Sequence, residues 1–155
     1  KSLLLLSKID NSQFAETKEI SLNEVLHRYS DDYREVYHYR GITLDIQEKA
    51  TFRVQMNETL AVVLVTNLLK NAFVHNIDKG MIRVEITSSS IRFGNTGADV
   101  ALDDKRIFER FYQGSRKREG STGLGLAIVH AICRQCRLQV RYRFLDGMHW
   151  LEVYK

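Results

Sequence analysis

Three stretches of this sequence carry residue types and spacings suited to binding: one suits a metal ion with its phosphate, one a flat ring and one phosphate itself. Asn67 and Asn71 lie four residues apart and His75 follows four later, so on a helix all three share one face. Amide oxygens are hard ligands of the kind magnesium accepts, and magnesium so held also binds phosphate oxygens and water. Taken alone, the three also read as a plain exposed polar stripe, because polar groups on an apolar helix must be solvated or satisfied. Gly94-Asn95-Thr96-Gly97 follows an extended apolar run. Its glycines permit close approach of a flat ligand, and the Asn95 amide offers a donor and an acceptor to a base edge. By itself it is a turn of favoured residues. Gly120-Ser121-Thr122-Gly123-Leu124-Gly125-Leu126 opens a helix, where free N–H groups and the helix dipole favour phosphate. No Gly-Lys-Ser/Thr ends this stretch and no strand leads directly into it. It is therefore neither a Walker loop nor a dinucleotide fingerprint.

The elements that must position these residues are legible. Lys1 to about Phe14 reads as the end of a helix with Leu3, Leu6 and Ile9 on one side, and nothing caps its start. The chain is therefore expected to be a piece of a longer protein. Ile20 to Leu22 suits a short strand. Ser21 with Glu24 forms a capping box that should open a helix running to about Tyr39 and ending at Gly41. Ile42 to Ile46 alternates like a half-buried strand, and Ala50 to Gln55 is extended. Asn57 caps the strongest helix, from Glu58 to His75, in which Leu60, Val63, Leu64, Leu68 and Ala72 recur at helical spacing. Strands are expected at Met81 to Thr87 and Ile91 to Phe93. Asn95 to Gly123 is polar, interrupted by Ile107-Phe108-Glu109-Arg110-Phe111-Tyr112, and long enough to suggest a functional lid. A helix from Leu124 to about Arg134 and a hairpin, Leu138 to Phe144 and His149 to Tyr154 turning at Asp146-Gly147, close the chain. The order predicts an α/β fold: a two-layer sandwich with a mixed, mainly antiparallel sheet covered by helices on one face.

A chain of 155 residues has room for one domain with a sizeable core. Its net charge of +4 is partly local, in Arg116, Lys117 and Arg118. The basic residues form no long stripe and no aromatic-interleaved array, so nucleic acid is not the expected partner. Leu3 to Leu6 is far too short to span a bilayer. Cys133 and Cys136 are spaced C-x-x-C late in an apolar helix, without the second ligand pair that zinc needs. They read as reduced helix residues, which suits the cytoplasm.

Taken together the motifs resemble those of sensor histidine kinases, within the GHKL ATPases. Asn67-Leu68-Leu69-Lys70-Asn71-Ala72 is similar to the N box, Asn95-Thr96-Gly97 to the G1 box, Ile107 to Tyr112 to the F box, and Ser121 to Val129 to the G2 box. All four stand in family order, over residues 20 to 154. The resemblance implies a Bergerat fold with a flexible ATP lid, in residues 15–155. Residues 1–14 would end the helix of a dimerisation and phosphoacceptor domain. Asn71 would hold Mg2+ and, with Asn67, serve the phosphates and catalysis. His75 would lie along the same site. Asn95 would meet the adenine edge, in either amide orientation, with Gly97 making room for the ring. Arg116, Ser121, Thr122, Gly123, Leu124, Gly125 and Leu126 would wrap the nucleotide, with Phe108 and Phe111 anchoring the lid.

The sequence departs from the family pattern in places. Asn95 stands for the usual aspartate, Asp99 for the second G1 glycine, Val74 for a basic residue, Ser121 for a glycine and Gln113 for an arginine. Arg116, Lys117 or Arg118 would supply the positive charge that Gln113 lacks.

The resemblance further implies ATP and Mg2+ as cofactors. Partners would be an upstream domain that carries the acceptor histidine, a response regulator receiver domain and a second copy of the full-length protein. That protein would be anchored in the inner membrane with this domain in the cytoplasm. None of the five histidines has the context of a phosphoacceptor box. Two other readings stay open: a degenerate interaction module that no longer binds ATP, motivated by Asn95 and Val74, and a GHKL serine kinase of the anti-sigma type.

Overall fold

The structure, a computed structural model, describes residues 2–112 and 123–155. The local signals for helix ends act where expected. Ser21 accepts a hydrogen bond from the Glu24 amide and starts α2 (Leu22–Val36). A 3-10 turn over His38–Arg40 follows, and Gly41 ends it at a φ of 65°. Asn57 accepts from the Leu60 amide and starts α3 (Glu58–Val74). Each such cap contributes about 1 kcal/mol. The first helix, α1 (Ser2–Asp10), is shorter than expected, and it packs on α4 (Gly125–Gln135) through Leu6 and Ile9.

Two sheets form. β1 (Lys18–Ser21) pairs antiparallel with β3 (Arg53–Met56). The larger sheet has the order β2-β4-β5-β7-β6. Its members are β2 (Thr43–Glu48), β4 (Met81–Ile86), β5 (Ser90–Thr96), β6 (Gln139–Leu145) and β7 (Met148–Tyr154). β2 runs parallel to β4 and the other pairs are antiparallel. The β6–β7 turn is made by Asp146 and Gly147, both at positive φ, which matches the strand twist. Alternation sends Ile82, Val84, Ile91, Phe93, Leu151 and Val153 inward, where they meet Leu64, Leu68, Val129 and Ile132 from α3 and α4. Full burial of each such side chain contributes about 2 kcal/mol. The expected two-layer α/β sandwich is what the chain forms.

One boundary differs in a way that matters. Asn95 and Thr96 were expected in a turn after a strand ending at Phe93. They continue β5, because Gly94, Asn95 and Thr96 pair with Trp150, His149 and Met148 of β7. Gly94 does not make room for a ligand. A Cβ there would lie 2.6 Å from ring carbons of Trp150, so the glycine accommodates the protein's own indole.

Cys133 and Cys136 are free thiols in and just after α4. Burial pushes the Cys133 thiol up to about 12, and burial raises Cys136 as well. Neither has the low pKa of a redox cysteine.

Candidate nucleotide site

Helix α3 runs the length of the candidate site. Asn67, Asn71 and His75 stand on successive turns and are all half-buried, so they do not form an exposed stripe. From Asn67 to His75 the helix rises about 12 Å. A glycine approaches at each end of that span. A Cβ on Gly125 would lie 3.2 Å from Asn67 Oδ1, which places the start of α4 against the first asparagine. The Asn67 amide nitrogen donates to Val63 O at 2.8 Å, so its oxygen is the atom that faces α4. At the other end, a Cβ on Gly97 would lie 2.9 Å from His75 O and 3.5 Å from Asn95 Nδ2.

Asn95 is buried, and its Nδ2 donates to Thr96 O at 2.8 Å. Turning the amide over would set two acceptor oxygens against each other. Its Oδ1 is therefore the atom left to accept, as a carboxylate oxygen would. The two-way amide expected from the sequence is held one way. ATP should thus be preferred over GTP about equally by this chain and by an Asn95→Asp variant. Competition of the two nucleotides measures it, and a preference at least about fivefold stronger in the variant would show a mobile amide.

Several positioning residues escaped the sequence reading. Asn76 is fully buried and donates to Ala72 O and Met81 O, both at 3.1 Å. Its Oδ1 accepts from the Ile77 amide at 2.8 Å and from the Thr96 hydroxyl at 2.6 Å. Thr96 in turn accepts from the Met81 amide. This network ties the end of α3 to β4 and β5 beside Asn95. Arg40 caps the same helix end, donating to Phe73 O and Asn76 O, both at 2.6 Å, and pairing with Asp78. Beyond Gly97, His149 Nε2 meets Ala98 O at 2.6 Å and must carry the proton, because a carbonyl only accepts. His149 Nδ1 and the Leu102 amide both bond to the Tyr142 hydroxyl, which fixes the loop after β5.

Gly123 has a φ of 76°, and its carbonyl accepts from the Phe111 amide at 2.8 Å. A Cβ on Gly123 would meet the Phe111 backbone at 2.7 Å. Leu124 and Leu126 are buried, so their side chains belong to the core. Phe108 stacks on His130 of α4, and burial lowers the pKa of His130. Phe111 is 58% exposed and is not a core anchor. Gln113, Arg116, Lys117, Arg118, Ser121 and Thr122 lie outside the described residues. Among the described residues, no cluster of three or more His, Cys, Asp or Glu side chains stands ready for a metal. The hard side-chain oxygens of Asn67 and Asn71 on this face of α3 are amides.

The strand-borne Asn95 and the two asparagines of α3 all fall within the stretch that matches a family of ATPases. The chain belongs to the histidine kinase-, DNA gyrase B- and HSP90-like ATPase family, whose sequence pattern matches residues 56–148. Within that family its relatives are sensor kinases. It is 33% identical over 141 residues to sensor histidine kinase RppB of Synechocystis, covering 84% of this chain and 31% of RppB. It is 30% identical to the heme sensor protein HssS of Staphylococcus saprophyticus, covering 85% of this chain and 30% of that protein. The chain thus spans about a third of the length of these relatives. The fold matches a mycobacterial sensor histidine kinase, MprB, with a TM-score of 0.75 at 19% identity, covering 89% of this chain and 95% of that one. It also matches the cytoplasmic segment of histidine kinase QseC, with a TM-score of 0.76 at 17% identity, covering 99% and 90%. Among the described residues no helix is long and apolar enough to cross a membrane.

Proposed function

We propose that this domain binds Mg-ATP along α3 and donates the γ-phosphoryl group to a histidine on a separate, upstream domain. The observation that carries the reading is the pair of glycine approaches at the two ends of one helical face. Gly125 meets Asn67 where the N-terminus of α4 suits phosphate, and Gly97 meets His75 beside Asn95 where a base edge suits the amide. Asn95 Oδ1 would accept from the adenine amine. Asn71, with a hard carboxamide oxygen, would hold the magnesium ion. Asn67 would line the phosphates. Magnesium, when bound, neutralises charge on the phosphate oxygens. The chain's own residues would orient the triphosphate and shape the site, which is most of what a domain of this kind contributes. Gly123 and Gly125 would let the backbone approach the phosphates, and Arg116, Ser121 and Thr122 would contribute to nucleotide binding.

In the longer protein, α1 would continue a dimerisation and phosphoacceptor helix. The protein would act as a homodimer and pass its phosphoryl group to a response regulator receiver domain. This domain would lie in the cytoplasm, tethered to the inner membrane. The test is to incubate the chain with γ-labelled ATP, alone and with the upstream helical segment. The chain alone should bind nucleotide and acquire no stable acid-labile label, and the added segment should become labelled. Stable label on the chain alone would contradict the reading. A flat nucleotide titration would instead favour a degenerate interaction module.

A further inference from the structure

The large sheet has a second face, turned away from the helices. Alternation puts Asn95 and His149 on the inner side and Arg92, Trp150, Arg141 and Arg143 on the outer side. On that outer side Trp150 lies against Gly94, and Arg92 stacks 4.4 Å over the indole while pairing with Glu85 at 2.7 Å. Arg141 pairs with Glu152 and stacks 4.6 Å over Tyr154. These two guanidiniums are held in place and their charges are matched. Arg143 differs. It is exposed, it stands opposite Trp150 in the β6–β7 register, and no carboxylate among the described residues pairs with it. All three arginines border one hollow of about 50 Å³, completed by Leu145, Trp150 and Glu152.

The size and charge of the hollow select its occupant. It is far too small for a nucleotide but has room for one carboxylate group. Of the three arginines that line it, two are matched by Glu85 and Glu152, which leaves the Arg143 guanidinium as the unmatched charge. A guanidinium offers a planar fork that fits a carboxylate with two hydrogen bonds. The exposed Leu145 and the half-buried indole beside it offer apolar area for a peptide backbone to cross, and tryptophan and arginine are both enriched among the residues that dominate binding at interfaces. A nucleic acid backbone would need a line of unmatched cations, and here Glu85 and Glu152 interrupt it. We propose that this face docks an acidic segment of a protein partner, with an Asp or Glu carboxylate on Arg143 and the chain lying across Trp150 and Leu145. The inference does not rest on nucleotide binding, because the hollow and Asn95 are on opposite faces of the sheet.

Trp150 is the only tryptophan in the sequence, so its emission reports the hollow directly. The 155-residue chain is titrated with a Glu/Asp-rich octapeptide, a neutral octapeptide of the same length and a single-stranded oligonucleotide of the same charge. The acidic peptide should shift the emission saturably and bind more weakly as salt rises. Arg143→Glu should weaken that binding about tenfold, with Arg143→Lys between the two. Because Arg143 is exposed, circular dichroism of both variants should match the parent. The proposal is overturned if the acidic peptide gives no saturable change, if the neutral peptide binds equally, if only the oligonucleotide binds, or if the folded Arg143→Glu variant binds as the parent does.

Discussion

Replacing Asn71 with alanine should reduce phosphoryl transfer by the longer protein about 100-fold or more, while the melting temperature stays close to that of the parent. Asn71 stands between Asn67 and His75 on the half-buried face of α3, so its carboxamide oxygen is positioned by a helix rather than by a loop. Alanine removes that oxygen and favours the helix, so the fold should tolerate the change. The loss of a hard ligand should appear first as weaker binding of Mg-ATP. It should appear much less as weaker binding of nucleotide without magnesium. Titration with and without the ion, together with the transfer rate, separates the two effects. Equal Mg-ATP affinity in parent and variant would remove Asn71 from the site and return α3 to a purely structural helix.

Replacing Asn76 with alanine should instead act on stability, lowering the melting temperature by about 10 °C, which corresponds to roughly 3–4 kcal/mol in a domain of this size. The side chain is fully buried and takes part in four hydrogen bonds, to Ala72 O, Met81 O, the Ile77 amide and the Thr96 hydroxyl. Alanine leaves the four partners without the amide, at a position that is itself fully buried, beside a small void. The packing leaves no slack, since a Cβ on Gly80 would sit 2.1 Å from Asn76 Oδ1. Thr96→Val removes one member of the network and should shift the melting temperature by about a third as much. Thermal unfolding followed by circular dichroism measures both. A shift under about 2 °C for Asn76→Ala would mean that water replaces the amide at no loss. Because Thr96 neighbours Asn95, nucleotide affinity should fall together with stability in this variant, unlike in Asn71→Ala.

What the sequence determined by itself is local. Caps at Ser21 and Asn57 act through hydrogen bonds to residues three positions on, and helical or alternating periodicity is set by each segment's own geometry. Those signals located the strong helix, the face shared by Asn67, Asn71 and His75, and the closing hairpin. The order of four motifs located the family. The tertiary structure decided what depends on contacts between distant segments. β5 reaches Thr96 only because β7, more than fifty residues later, supplies partners for Gly94 to Thr96. The Asn95 amide takes one orientation because Thr96 O faces it. Gly94 serves an indole that arrives from residue 150. Asn76 looked like one more polar residue at a helix end, and only the return of β4 and β5 to its side made it the centre of a buried network. The same holds for Arg40 and for the Tyr142–His149 pair, whose partners lie 33 to 51 residues away along the chain. Hydrogen-bond partners at such separations leave no periodic trace in a sequence, because burial and not spacing selects them.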